Sequence, residues 1–217
     1  PLSLSHQTYS QGFSANPQSN QDPSSLLAPE QDTERQAVLD QWAASVIKQY
    51  SRFQLLTALR RGEWGIEGLN IRIREILRRK LKGEGQIWYA GRPVLVTSND
   101  YSLKLMNGDI GITLQTPVKQ TDGSFKMMLR VAFPMGDGSE RIRWILPSRL
   151  QAVETVFAMT VHKSQGSEFN HTLLVLPEHN SPVLSKELIY TGITRAKDRF
   201  TLVYKNNSVL KQGIEQR

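Results

Sequence analysis

Residues 87–150 place the strongest constraint on what this chain can become. They alternate short β-type runs with turn signals: PVLVTS, Asn107-Gly108-Asp109, GITL, Thr121-Asp122-Gly123, FKMMLRVAF, Gly136-Asp137-Gly138 and ERIRWIL. Glycine beside Asn or Asp supplies the positive φ that tight hairpins need, so this stretch predicts five or six short strands closing into a small β-barrel. A barrel of that size uses only a third of the chain, and the flanks read differently.

Upstream, Thr33 and Gln36 have capping-box spacing and precede Val38, Leu39, Trp42, Ala43, Val46, Ile47 and Tyr50 at helical period, which predicts one amphipathic helix. Residues 53–59 (FQLLTAL) have the length of a buried strand and end in Arg60-Arg61-Gly62, after which residues 63–68 (EWGIEG) read as loop. A second helix is predicted over 70–82, with Ile73, Ile76, Leu77 and Leu81 on one face. Arg72, Arg74, Arg78, Arg79, Lys80 and Lys82 load the rest against a single Glu75. A solvated basic face explains that pattern best, and a surface tracking phosphates is the alternative. The texture changes at Gly83-Glu84-Gly85. Downstream, VETVFAMT reads as a strand, 162–169 as a turn into a short helix, TLLVL as a strand, 185–197 as a helix and RFTLVY as a strand. The reading is therefore an α/β lobe, in segments 31–86 and 150–217, interrupted by a β-barrel over 87–149. No internal repeat is present.

Charge is distributed unevenly. The chain has 217 residues and a net charge of +7, yet residues 1–34 hold Asp22, Glu30, Asp32 and Glu34 and no base, leaving +11 on the remainder. The basic portion suits a polyanionic partner. Seventeen of the first 30 residues are Ser, Gln, Asn or Pro, a composition too poor in apolar groups to offset its ordering entropy, so 1–30 reads as a flexible polar segment without chemistry. The absence of cysteine excludes disulfide frameworks, thiol nucleophiles and Cys-based zinc sites. No apolar run approaches the roughly 18 residues of a membrane span, which excludes an integral membrane protein and a signal peptide in these residues. Pro1 stands where a start methionine would, so the chain reads as a fragment or processed product.

Several chemistries can be set aside. Ser-x-x-Lys occurs at Ser45 and Ser208 without companion motifs, no Gly-x-Ser-x-Gly elbow exists, and His6, His162, His171 and His179 lack metal-ligand spacing. No Gly-x-x-x-x-Gly-Lys-[Ser/Thr] occurs, so these residues contain no P-loop to cradle a nucleotide's phosphates.

Two clusters stand out. Thr160-Val161-His162-Lys163-Ser164-Gln165-Gly166-Ser167-Glu168-Phe169 packs hydroxyls, an imidazole, a cation, an amide and a carboxylate directly after an apolar strand, where open α/β sheets bind ligands. An ordinary solvated turn is the competing reading. The second, Tyr190-Thr191-Gly192-Ile193-Thr194-Arg195-Ala196-Lys197, places Arg195 in a predicted helix with Leu188, Ile189 and Ile193 as its apolar side. Composition alone equally allows Arg195 to be a surface cation.

TVHKSQGSEF followed by LIYTGITRAKDRFTLV resembles motifs V and VI of superfamily 1 DNA helicases, in the wording of the RecD type, the α subunits of exodeoxyribonuclease V. LLTALRRGEWGIEGLN resembles their motif IV segment, and GRPVLVTSNDYSLKLMNGDIGITL their small inserted SH3-like barrel, so the resemblance spans about residues 53–205.

The resemblance implies a RecA-like second motor lobe of an ATP-dependent 5′-to-3′ DNA helicase, acting in double-strand break repair and recombination. It implies a cytoplasmic enzyme with ATP and Mg²⁺ as cofactors, single-stranded DNA as substrate and RecB-like and RecC-like subunits as partners. Motifs I to III are expected upstream of these residues, and the fragment alone is expected not to hydrolyse ATP. Carried onto this sequence, Arg195 is the expected arginine finger and Arg60 the expected motif IV arginine, with Arg61 beside it leaving that assignment open. Gln165, Gly166 and Glu168 are expected at the nucleotide. Thr160, His162, Lys163, Ser164, Thr191 and Thr194 are expected at the DNA. A different class is also compatible with the residues: a non-enzymatic basic module that binds nucleic acid or docks a partner.

Overall fold

The computed structural model describes residues 29–78 and 86–216. The polar segment 1–28, the basic residues 79–82 and the Gly83-Glu84-Gly85 step lie outside the described residues. Elements run in the order α1 (Pro29–Tyr50), β1 (Phe53–Thr57), α2 (Ile66–Arg78), β2 (Pro93–Val96), β3 (Ile110–Lys119), β4 (Phe125–Pro134), β5 (Ile142–Ile145), β6 (Val153–Thr155), β7 (Ala158–Thr160), β8 (Phe169–Val175), α3 (Lys186–Ile193), β9 (Ala196–Val203) and α4 (Asn207–Glu215). No helix among the described residues is long and apolar enough to cross a membrane.

The strands form two separate sheets. One is parallel, in the order β7-β1-β8-β9, and the other is antiparallel, in the order β5-β4-β3-β2-β6. The parallel sheet is buried through Leu56, Met159 and Leu174, which pack with Leu184, Leu188, Ile189 and Val209 from the α3 and α4 region. Its short edge strand β7 is held by Asn70 of α2, whose side-chain amide donates to the Ala158 carbonyl at 3.0 Å and accepts from the Ala158 amide at 2.9 Å.

Residues 87–149 form strands distinct from the parallel sheet. Among the described residues no register joins edge strands β5 and β6. The sheet's inner face gathers Val94, Val131, Phe133 and Ile145, with Val153 packed against them. Its other face, through Ile112, Leu114, Ala132 and Ile142, receives Ala43 and Val46 of α1. Helix α1 therefore belongs to the antiparallel sheet's core. It begins at Pro29, ahead of the expected Thr33, consistent with proline's fitness for a first helical turn.

Four further boundaries differ from the periodicity. VETVFAMT is two strands, not one: Val153–Thr155 pairs antiparallel with β2, and Ala158–Thr160 pairs parallel with β1. Helix α2 begins at Ile66, inside the expected loop, because Gly65 and Gly68 let the turn fold back on itself. A Cβ at Gly65 would stand 2.4 Å from the Arg61 carbonyl oxygen, and one at Gly68 2.5 Å from that of Gly62. The expected short helix in 162–169 is only a 3-10 turn at His162–Ser164. Helix α3 ends at Ile193, and Ala196 already pairs with Phe169.

The junction of α1 with the antiparallel sheet rests on Asp40. Its carboxylate accepts from Trp144 Nε1 at 2.7 Å, from the Ile142 amide at 3.1 Å and from Gln36 at 2.5 Å. Asp40→Ala leaves the indole and the amide without acceptors in a partly buried seam, so it is expected to cost about 2 kcal/mol in urea unfolding. Asp40→Asn, which keeps an acceptor oxygen, is expected to lose less.

Candidate functional site

A parallel sheet has two chemically distinct ends, and this one carries a different candidate cluster at each. At the carboxyl end Thr57 of β1 lies in register with Thr160 of β7. The Thr57 hydroxyl donates to the Trp64 carbonyl at 2.6 Å, closing the turn that presents Arg60. Arg60 lines a cleft of about 460 Å³ together with Ala58, Ile66, Thr160, His162 and Lys163. Arg61 is not among its lining residues. Arg60 is exposed and its side chain makes no hydrogen bond or ion pair among the described residues, while His162 is exposed beside it.

The remaining groups at this end are committed within the protein. Thr160 is buried and its hydroxyl accepts from the Lys163 amide at 3.3 Å, tying the 3-10 turn to the end of β7. The Lys163 ammonium stands 2.5 Å from Glu154 Oε1. Ser164 is buried and its hydroxyl donates to the Val161 carbonyl at 2.7 Å, so it braces the turn.

From there the segment crosses the sheet. Gln165 and Gly166 are exposed, and Gly166 sits at φ +84° with no atom within 4 Å of where a Cβ would stand. Glycine is required there by backbone conformation, not by close approach of a ligand or neighbour. At the amino end of β8 the segment meets Arg195. The Arg195 guanidinium donates to the Ser167 carbonyl at 3.1 Å, the Thr191 carbonyl at 3.3 Å and the Thr194 hydroxyl at 3.3 Å. The Thr194 hydroxyl donates in turn to the Thr191 carbonyl at 3.0 Å, and that of Thr191 to the Glu187 carbonyl at 2.7 Å. Glu168 is exposed and pairs with Lys197 at 3.3 Å.

The structure thus brings Arg60, Thr160, His162 and Lys163 together, and separately Arg195, Thr191, Thr194 and the 167–168 turn. It does not bring Arg60 to Arg195. Phe169–Ala196 marks one end of the β8–β9 ladder and Val175–Val203 the other, next to Thr57, a separation of roughly 20 Å at about 3.3 Å per residue. Two side chains so placed cannot meet on one phosphate. Thr191 and Thr194, expected beside the DNA candidates, lie instead with Arg195. Arg195 itself is outside the helix, in the turn that follows it, because its carbonyl accepts from the Phe169 amide at 2.8 Å as β9 begins. Sequence reasoning missed Glu154, Ser167 and Lys197. Lys197 was available from the motif itself, whereas nothing in the sequence pairs Glu154 with Lys163.

Residues 155–203 match the UvrD-like helicase C-terminal domain family. More particularly, the chain is 40% identical over 179 residues to the RecBCD enzyme subunit RecD of Haemophilus influenzae, covering 81% of this chain and 25% of that protein. It is 41% identical over 152 residues to the RecD subunit of Mycolicibacterium smegmatis, covering 69% of this chain and 24% of that protein. It is 35% identical over 153 residues to the ATP-dependent RecD2 DNA helicase of Deinococcus radiodurans, covering 68% of this chain and 19% of that one. A Pif1 helicase structure from Candida albicans aligns at TM-score 0.45 and 13% identity, over 85% of this chain and 57% of that chain. On the RecD subunits alone, the resemblance to RecD-type helicases holds across most of the sequence. The chain spans about a quarter of the length of the RecD subunits it matches.

Because Gly166 adopts a left-handed conformation in open surroundings, Gly166→Ala is expected to destabilise the chain by about 1 kcal/mol, read by thermal or urea unfolding. Gly166→Asn is expected to lose less, since Asn tolerates that region better.

Proposed function

We propose that this chain is the second motor lobe of a RecD-like, ATP-dependent 5′-to-3′ DNA helicase, its 87–149 insertion standing for the family's SH3-like barrel. In this reading the 160–169 segment, motif V, joins two working ends. The carboxyl-end cleft faces single-stranded DNA, with Arg60 and His162 as direct backbone contacts and Thr160 shaping the turn. The amino end faces ATP, whose phosphates and Mg²⁺ are held by a P-loop lobe outside these residues. Gln165, Gly166 and Glu168 lie on the nucleotide side. RecB-like and RecC-like partners and a role in double-strand break repair follow from the same resemblance.

The observation that carries the reading is the seating of Arg195. Its guanidinium is held by two carbonyls and a hydroxyl and has no ion pair among the described residues. Neutral acceptors orient a permanent cation without cancelling its charge, which suits stabilisation of charge developing on a transferring phosphoryl group. Since one acceptor is the Ser167 carbonyl of motif V, movement of the DNA-facing end is transmitted to the arginine along the short connection 163–167.

The test uses the polypeptide in which this chain is joined to its P-loop lobe. Arg195→Ala is expected to lower ATP turnover on the order of 10³-fold at saturating DNA while leaving nucleotide and oligonucleotide affinity nearly intact. Arg195→Lys is expected to rescue little, because a point charge lacks the planar fork. Retention of more than about a third of wild-type turnover returns Arg195 to the status of a surface cation. Arg60→Ala is expected to do the opposite, weakening oligonucleotide binding while sparing turnover at saturating DNA. The 217-residue chain alone is expected to show no DNA-stimulated ATP hydrolysis; hydrolysis at a motor's rate by the pure chain contradicts the two-lobe reading.

A further inference from the structure

Lys163 and Glu154 come from different sheets. Glu154 lies on β6, in register with Leu95 of the antiparallel sheet, and the neighbouring Thr155 hydroxyl accepts from Arg92 Nε at 3.0 Å, fixing that strand. Lys163 lies on the 3-10 turn after β7, its backbone held by the Thr160 hydroxyl. Their charged ends meet at 2.5 Å with side chains 29% and 36% exposed. The solvated pairs Arg72–Glu63 and Lys197–Glu168 are more open, at 57% and 59% and at 54% and 58%. A pair drawn partly out of water is screened less, so each member neutralises the other more completely. In the cleft this leaves Arg60 as the one full cation free of a partner among the described lining residues.

We propose that Glu154 sequesters Lys163, so that the antiparallel sheet sets how many cations the cleft offers to a phosphate backbone. This rests on the reading of the cleft as the single-stranded DNA end. A nucleic-acid phosphate can recruit Lys163 only by displacing the carboxylate, and while the pair holds, the carboxylate also repels the strand. Glu154 is then a positioning residue: it acts through Lys163, and relative movement of the two sheets would open or close the pair.

The experiment compares the 217-residue chain with its Glu154→Gln, Lys163→Met and double variants. Glu154→Gln is nearly isosteric and leaves the β2–β6 ladder in place; circular dichroism checks the fold. Binding of a fluorescent oligothymidylate is measured against KCl concentration. Releasing one cation adds one phosphate contact, so Glu154→Gln is expected to bind about tenfold tighter at low salt, with a log–log salt slope steeper by about 0.7. Lys163→Met, which leaves the Glu154 carboxylate facing the strand uncompensated, is expected to bind more weakly than wild type, and the double variant to return close to wild-type affinity. If instead Glu154→Gln changes neither affinity nor slope while Lys163→Met weakens binding with a shallower slope, Lys163 is already free and the inference is wrong.

A second measurement needs no nucleic acid. Acylation of Lys163 by an amine-reactive reagent, followed by mass spectrometry with exposed Lys48 as internal control, is expected to accelerate several-fold in Glu154→Gln. Equal rates overturn the proposal. Failure of every form to bind the oligonucleotide overturns the DNA reading of the cleft, and the acylation rates still decide the Glu154 proposal.

Discussion

Two adjacent residues, Val156 and Phe157, carry the chain from one sheet into the other, and both candidate ends depend on how firmly that step is held. The Val156 amide donates to the Pro93 carbonyl at 3.1 Å, the Tyr50 hydroxyl donates to the Val156 carbonyl, and Gln54 Nε2 donates to the Phe157 carbonyl at 3.3 Å. Three elements, β2, α1 and β1, thus converge on two peptide units, with the Val156 side chain buried between them. Burial pushes the Tyr50 phenol far above its ordinary range, so it is a donor at every physiological pH. Because β6 and β7 are each only three residues long, their placement comes from this anchoring more than from their own ladders.

Once the crossing is fixed, the rest follows from the parallel arrangement. The chain must return from the carboxyl end of β7 to the amino end of β8, passing β1, in the eight residues 161–168. A connection so short has no room for a full helix. It becomes one 3-10 turn, a left-handed glycine and an extended run, and its two halves are exposed at opposite ends of the sheet. In the proposed reading a single polar sequence motif serves two chemistries for this geometric reason, and the Arg195 latch to Ser167 joins the second motif to the far half.

The alternation of α/β, β and α/β texture was legible because it rests on local periodicity, and the two polar clusters were legible from their density after apolar strands. What escaped depends on partners distant in sequence. VETVFAMT contains no Gly or Pro to mark a break, so its division between sheets is visible only once Pro93 and Leu55 have claimed different halves of it. The run through Arg195, Ala196 and Lys197 has good helix formers throughout, and it leaves the helix because β8 captures it. Barrel closure was not legible, because turn signals fix hairpins but say nothing about whether the first and last strands meet. Helix α4 was within reach of sequence reasoning, since Asn206-Asn207-Ser208 ahead of Val209, Leu210 and Ile214 is a capping-type start to an apolar stripe.

The side chain of Asn70 presents one donor and one acceptor to the same residue of β7, as the next strand of a sheet would. It behaves as a mock strand a single residue long. A parallel sheet with a bare outer strand is a template on which a second molecule can add its own, the first step toward domain swapping or fibrous aggregates. With Ala158 satisfied on its outer side and β7 only three residues long, little ladder is left to extend, so the β7 border of this sheet is sealed by one amide from a helix.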